Sequence, residues 1–372
     1  MPRRGVRSRT PKGAAAEDAG STAIRRRVSR ILSRPDPSAW RSLADEELLG
    51  LRFCDLRLKI GGSMLQRCID RLLGELEARS IGFRPHVWIS SEFFSPDGVP
   101  GIAVPFYLTH PRLMRLEKAQ MMEVEGGSPE SCMRILRHEA GHALDTAYRL
   151  RRRKDWRGLF GRASTPYPKH YSVKPYSKHY VLHLDWWYGQ SHPLEDFAET
   201  FAVWLRPTSG WRKAYRGWPA MRKLDYVEEV MQELRELRPA VRTRAEVDPI
   251  RDVKKTLREH YKARRDHYGE DLPDLYDADL RRLFPRSGSR RGSESAAAFL
   301  RRMRPDIRRH VAAWTGQHPY AVDLFLSDMM SRCRDLDLRV SAPVREVRMD
   351  AMLLVTVQMM TFMFSGKSSI AL

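Results

Sequence analysis

The stretch Ser128-Pro129-Glu130-Ser131-Cys132-Met133-Arg134-Ile135-Leu136-Arg137-His138-Glu139-Ala140-Gly141-His142 decides how this chain is read. Ser128 is a helix-capping residue, Pro129 suits a first turn, and Glu130 sets an acid at the positive end of the dipole. Cys132, Leu136, Ala140, Ala143 and Ala147 follow at helical spacing, so the segment is expected to be one amphipathic helix. Within it, His138-Glu139-Ala140-Gly141-His142 matches H-E-x-x-H. Histidines four apart share a helix face, one turn apart, and both imidazoles can reach a single ion. The glutamate between them is placed to take a proton from a water on that ion. Zinc lowers the pKa of such a water to roughly 7, so a carboxylate suffices as base at neutral pH. The competing reading of the motif alone is a pair of surface histidines on an ordinary helix.

A catalytic zinc needs a third protein ligand and an open position. The metzincin arrangement would set Gly three residues and His or Asp six residues beyond His142, but Asp145 and Tyr148 stand there. The other arrangement draws a glutamate from a later helix. Glu195-Asp196-Phe197-Ala198-Glu199 supplies it, 53 residues after His142, on a helix expected to open at Pro193 and end before Pro207. Glu195 and Glu199 share one face, while Phe197, Ala198, Phe201 and Leu205 can bury the rest. One carboxylate can bind zinc and the other can hold a ligand histidine. Spacing does not choose between them, and a solvated acidic face is the alternative.

H-E-x-x-H followed by E-x-x-A-E resembles the glutamate-zincin, or gluzincin, class of metallopeptidases. Its nearest likeness is the branch of anthrax lethal factor and Pro-Pro endopeptidase, where a Tyr-Gly pair precedes the ligand glutamate by seven residues. Here Tyr188-Gly189 precedes Glu195 at that distance. The run His192-Pro193-x-Glu195-Asp196-Phe197-Ala198-Glu199 is also similar to a bacterial family of zinc-binding metallopeptidases. The resemblance covers roughly residues 98–220. It implies one zinc held by His138, His142 and Glu195, with Glu199 orienting a ligand histidine. It further implies Glu139 as general base, Tyr188 as stabiliser of the oxyanion, and a peptide or protein substrate. In zincin-like folds an edge strand lines the cleft and pairs with the extended peptide, a role that falls here to Gly101–Leu108. Specificity for Pro is not implied, because it depends on loops outside the match.

The expected fold is α+β: a zincin-like metallopeptidase domain with a small mixed sheet, followed by a helix-rich C-terminal region. Residues 1–40 read as a disordered basic arm, 41–245 as the catalytic domain, and 246–372 as a helical region of unknown role. Leu65, Cys68, Ile69, Leu72, Leu73 and Leu76 predict a helix over 64–80, and Leu224, Val227, Val230, Met231 and Leu234 predict another over 221–237. His86–Ser90 and Gly101–Leu108 have strand composition, with Pro105 pointing to an edge. Gly158 to Gln190 reads as a long ordered loop. The pattern breaks over 241–252, Arg286 to Glu294 reads as a linker, and Met349 to Phe364 as a buried helix too short and too polar to span a bilayer.

The 372 residues carry 66 Lys and Arg against 46 Asp and Glu, a formal charge of +20. Residues 1–40 account for a net +7, so the basic character extends over the body of the chain. Such a surface can meet nucleic acid or an acidic partner, or can simply be a solvated face. Cys54, Cys68, Cys132 and Cys333 form no C-x-x-C pair, which argues against a disulfide framework and suits a reducing compartment. With no apolar segment of signal type in the first 30 residues, a cytoplasmic protein without a membrane span is expected. Two other readings stand beside the peptidase. One is a basic nucleic-acid- or partner-binding protein with a structural or vestigial zinc site, against which the presence of Glu139 argues. The other is a zinc hydrolase of a non-peptide amide. Asp145 could hold a histidine or be an ordinary surface acid. His170, His179, His183 and His192 read as loop residues, and Trp186, Trp187, Trp204, Trp211 and Trp218 as core and cleft wall.

Overall fold

The computed structural model describes residues 39–168, 171, 174, 177–268, 277–284 and 294–364. Two helices, the short α1 (Asp45–Leu49) and the longer α2 (Met64–Ala78), precede strands β1 (His86–Ser90) and β2 (Gly101–Pro105). Then come α3 (Pro111–Met121), α4 (Pro129–Tyr148), α5 (Lys154–Phe160), α6 (Pro193–Leu205), α7 (Trp211–Ala214) and α8 (Met221–Leu234). The C-terminal part holds α9 (Leu257–Tyr268), α10 (Asp277–Leu283), α11 (Ala296–Thr315), α12 (Pro319–Asp335) and α13 (Val344–Phe364). The described chain is therefore mainly helical with a small sheet, compatible with α+β.

The helices begin where local chemistry favours it. The Ser128 hydroxyl accepts from the Ser131 N–H, with Pro129 in the first turn of α4. Ser63 caps α2 in the same way by accepting from Gln66. The helix α6 opens with Pro193 in its first turn, and its N-cap is His192, whose Nδ1 accepts from the Leu194 N–H. All of α6 from Leu194 to Leu205 is buried. Burial on every side places it inside the domain, where it packs between α4, α5 and α8. The pairing of α4 with α2 is fixed by a bidentate ion pair: Arg137 Nε lies 2.6 Å from Glu75 Oε2 and its Nη2 lies 2.7 Å from Oε1, both side chains buried.

The sheet differs from expectation. Its two strands run parallel, His86 opposite Gly101 through Ser90 opposite Pro105, and one antiparallel bridge joins Phe94 to Ala103 on the other edge of β2. The strand stops at Pro105, and Phe106–Thr109 form a 3₁₀ turn. Phe106, Tyr107, Leu108 and Thr109 are all buried, which a 3₁₀ turn permits and an edge strand with one wet face does not. Nor does β2 offer an edge to a peptide: the Gly101 N–H is given to Val99 and that of Ala103 to Phe94, while Pro105 has none. The segment Phe93–Asp97 lies between β2 and the cleft instead, and the cleft lining takes Phe93, Phe94, Ser95 and Asp97 but no residue of β2.

One hydrophobic cluster extends from Trp40 to Tyr261 and takes in Ile250 from within the break at 241–252 and Leu257 and Tyr261 from beyond it. Trp40, at the end of the segment read as a basic arm, is buried and donates its Nε1–H to the Leu56 carbonyl at 3.0 Å. The rest of that arm, 1–38, lies outside the described residues, as does nearly all of the linker at 286–294. A second cluster, from Leu280 to Met359, is built by α10 to α13. The expectation of a buried helix near Met349–Phe364 is corrected there. Val347, Ala351, Val355 and Met359 are buried, but Met349, Leu353 and Val357 form an exposed apolar row four residues apart. No helix among the described residues is long and apolar enough to cross a membrane.

Candidate metal centre

The centre is made where α4 crosses α6. Gly141 permits the crossing: a Cβ there would lie 2.9 Å from the Ala198 Cα and 3.3 Å from its carbonyl oxygen. The second variable position of H-E-x-x-H is thus a backbone-contact position, and it brings the first turn of α6 over the two histidines. Tyr188-Gly189 sits on the 3₁₀ turn Asp185–Gln190, with Gly189 also close to α6, since its Cβ would lie 3.4 Å from Glu199 Cγ.

His138, His142 and Glu195 converge as the sequence anticipates, and the three form a group able to hold a metal ion. His138 Nε2 lies 3.0 Å from Glu195 Oε2, His142 Nε2 lies 3.2 Å from the same oxygen, and the two nitrogens are 3.1 Å apart. Zinc bonds of about 2.0–2.1 Å in a tetrahedron require ligand atoms roughly 3.3–3.4 Å apart, so the triangle is close to the size of a metal-ligand face. The donor set fits such an ion chemically too. Glu199, fully buried, accepts at Oε1 from His138 Nδ1 at 2.9 Å and at Oε2 from the Leu184 N–H at 2.8 Å. A proton on Nδ1 leaves the Nε2 lone pair of His138 directed at the centre. Burial opposes a charge on His138, but Glu195 and Glu199 outweigh it and raise the imidazole to about 10. Glu195 is held well below the usual carboxylate range: burial works against its charge, and the imidazoles of His142 and His138 prevail. A proton and a cation therefore compete for one place.

Glu139 is 8% exposed, and its Oε2 has no partner among the described residues. A buried carboxylate oxygen without a donor is costly in a finished core and useful beside a reacting water. The Ser95 hydroxyl binds the Glu139 carbonyl at 3.0 Å, tying the cleft wall to this turn of α4. Tyr188 places its ring 5.6 Å from that of His138. Burial, then the charges of Glu195 and Glu139, push its phenol up, so the hydroxyl stays a donor. These groups open into a cleft of about 740 Å³.

The cleft wall carries residues that motif reading missed. Tyr167 donates to Glu195 Oε1 at 2.7 Å. Its signal in the sequence is Pro166-Tyr167-Pro168, two prolines stiffening the chain on either side of one tyrosine. Asp97, Glu123, Glu125 and Asp185 line the same space, and both arginines in it are engaged. Arg134 binds the His183 carbonyl and Asp185, and Arg151 binds Asp145, Asp97 and Thr146. Asp145 is thereby a buried ion-pair partner of Arg151, not a surface acid and not a histidine holder. His183 binds the Arg134 carbonyl and is lowered to about 4 by burial, while His192 caps α6; neither belongs to the metal group. The His179 carbonyl accepts from Lys223, and His170 lies outside the described residues. Trp204 and Trp211 are core residues, and the aromatic wall of the cleft among the described residues is Phe93, Phe94, Tyr167 and Tyr188.

Comparison of the chain with protein-family models, with curated proteins and with solved structures gives no match in any of the three.

Proposed function

We propose that the chain is a zinc-dependent peptidase of the gluzincin type. The observation that carries the reading is Oε2 of Glu139, unpartnered among the described residues and buried in the cleft wall beside the His138, His142 and Glu195 triangle. A purely structural metal site has no use for a base in that position. Zinc, when bound, would acidify a water and polarise the scissile carbonyl. Glu139 would take the water's proton and return it to the departing amine. The Tyr188 hydroxyl would donate to the carbonyl oxygen as negative charge develops there.

Two features favour a peptide over a polyanion in the cleft. Among the described residues the lining bears more carboxylates than cations, and its two arginines, Arg134 and Arg151, are tied to partners. Phe94 also turns its backbone N–H and C=O to Ala103. In an extended chain the neighbouring residues then turn theirs the other way, so Phe93 and Ser95 offer an edge for strand addition.

The test is metal analysis followed by a peptide-library screen. The protein should hold about one zinc per chain, lost in His138→Ala and His142→Ala. Glu139→Gln should keep the zinc and cleave at least about 10²–10⁴-fold more slowly. A zinc-loaded protein that cleaves nothing in the library, or a Glu139→Gln variant as fast as the parent, would sink the peptidase.

A further inference from the structure

We propose that Tyr167 is a positioning residue that restricts Glu195 to binding the metal through one oxygen, and that His192 builds the strap holding it there. The proposal rests on the reading of His138, His142 and Glu195 as a metal centre. The two oxygens of Glu195 are divided between different neighbours. Oε2 faces the imidazoles, at 3.0 Å from His138 Nε2 and 3.2 Å from His142 Nε2. Oε1 accepts from the Tyr167 hydroxyl at 2.7 Å. A carboxylate with both oxygens unengaged can turn and chelate, and its second oxygen then takes coordination space that a catalytic zinc keeps for water and substrate. A phenol on Oε1 withdraws that oxygen and leaves one ligand atom.

Burial does not account for the placement of Tyr167, because its side chain is 50% exposed. What holds it is His192. The two rings stack with centroids 3.8 Å apart and planes inclined by 16°. His192 Nδ1 accepts from the Leu194 N–H at 3.2 Å, so the proton of the neutral ring sits on Nε2. That Nε2–H donates to the Thr165 carbonyl at 2.8 Å, two residues before Tyr167. One imidazole thus uses both nitrogens and a face to tie the Thr165–Tyr167 strap to the turn that starts α6 and carries Glu195. Pro166 and Pro168 on either side lower the entropy cost of ordering the strap. The arrangement divides work between two tyrosines. Tyr167 is spent on the ligand, and Tyr188, whose hydroxyl has no partner among the described residues, is left for the reacting oxygen.

The experiment uses the full chain loaded with cobalt(II), whose visible absorption is intense in four-coordinate sites and weaker in five-coordinate ones. Tyr167→Phe keeps the ring and the stack and removes only the hydroxyl. It should still bind one metal, with weaker, five-coordinate absorption and a zinc affinity lower by about 10–100-fold, the usual effect of losing a partner of a ligand. His192→Asn keeps a capping side chain but loses the stack and the bond to Thr165, and should shift the spectrum in the same direction. A Tyr167→Phe protein with the parent's spectrum and zinc affinity overturns the proposal while leaving the metal centre standing. A His192→Asn protein with the parent's spectrum, beside a shifted Tyr167→Phe, overturns the part given to His192. A parent chain that takes up no cobalt overturns the metal reading itself.

Discussion

Glu195 and Glu199 stand one turn apart on α6 and look interchangeable as letters, yet their surroundings give them separate tasks. Both oxygens of Glu199 are occupied, one by His138 Nδ1 and one by the Leu184 N–H. Glu195 turns Oε2 to the two Nε2 atoms, where an ion would sit. Glu195→Ala should therefore empty the site, while Glu199→Ala should weaken zinc by about 10–100-fold. Tyr188→Phe should retain zinc in full and lose turnover by about 10²–10³. Competition against a chromophoric chelator measures the three affinities. Roles are reversed if Glu199→Ala is the variant that empties.

At the scale of elements, the decisive contact is Gly141 of α4 against Ala198 of α6. Glycine costs a helix interior about 1 kcal/mol relative to alanine, so an exposed Gly141→Ala would be stabilising. Here the added methyl would sit 2.9 Å from a backbone carbon that cannot rotate aside. The variant should lose about 1–3 kcal/mol in urea unfolding, as overpacked cores do, and bind zinc more weakly because Glu195 moves away from the histidines. A variant at least as stable as the parent, with the parent's zinc affinity, would show that the helices have room to part. Sequence periodicity placed both helices well: α4 begins at Pro129 after the Ser128 cap, and α6 runs Pro193–Leu205 between its two prolines. The cleft edge that the resemblance assigned to Gly101–Leu108 is not there, because strand composition is the same whether or not the backbone donors are already used.

For the molecule as a whole, His260 of α9 links late sequence to the first core. It is 2% exposed, edge-on to Phe53 and Phe106, with Nε2 unpartnered among the described residues. Burial, with Arg264 and Lys255 adding to it, lowers its pKa from 6.5 to about 3. The folded protein keeps this ring neutral where an unfolded chain would protonate it. Its contribution is thus complete above about 6.5 and is lost as pH falls toward 3. At about 1.4 kcal/mol per pKa unit, the loss by pH 4 is on the order of 3 kcal/mol. Urea unfolding at pH 7 and pH 4 should show a smaller acid-induced drop in His260→Gln than in the parent. Equal drops would mean that the ring is already protonated or solvated in the fold.

What the sequence by itself determined is the placement of the candidate groups: His138, Glu139 and His142 on a capped helix, and two glutamates on a second. Helical period and capping act within a few residues, so they can be read from a single strand of text. Only the tertiary structure decided which glutamate faces the imidazoles, that Tyr167 binds the other oxygen of Glu195, and that Asp145 is spent on Arg151. The same holds for β2, whose outer edge is taken by Phe94. Each of these depends on which partner from elsewhere in the chain reaches a group first. Such competition is settled by packing across tens of residues, and no local spacing records it.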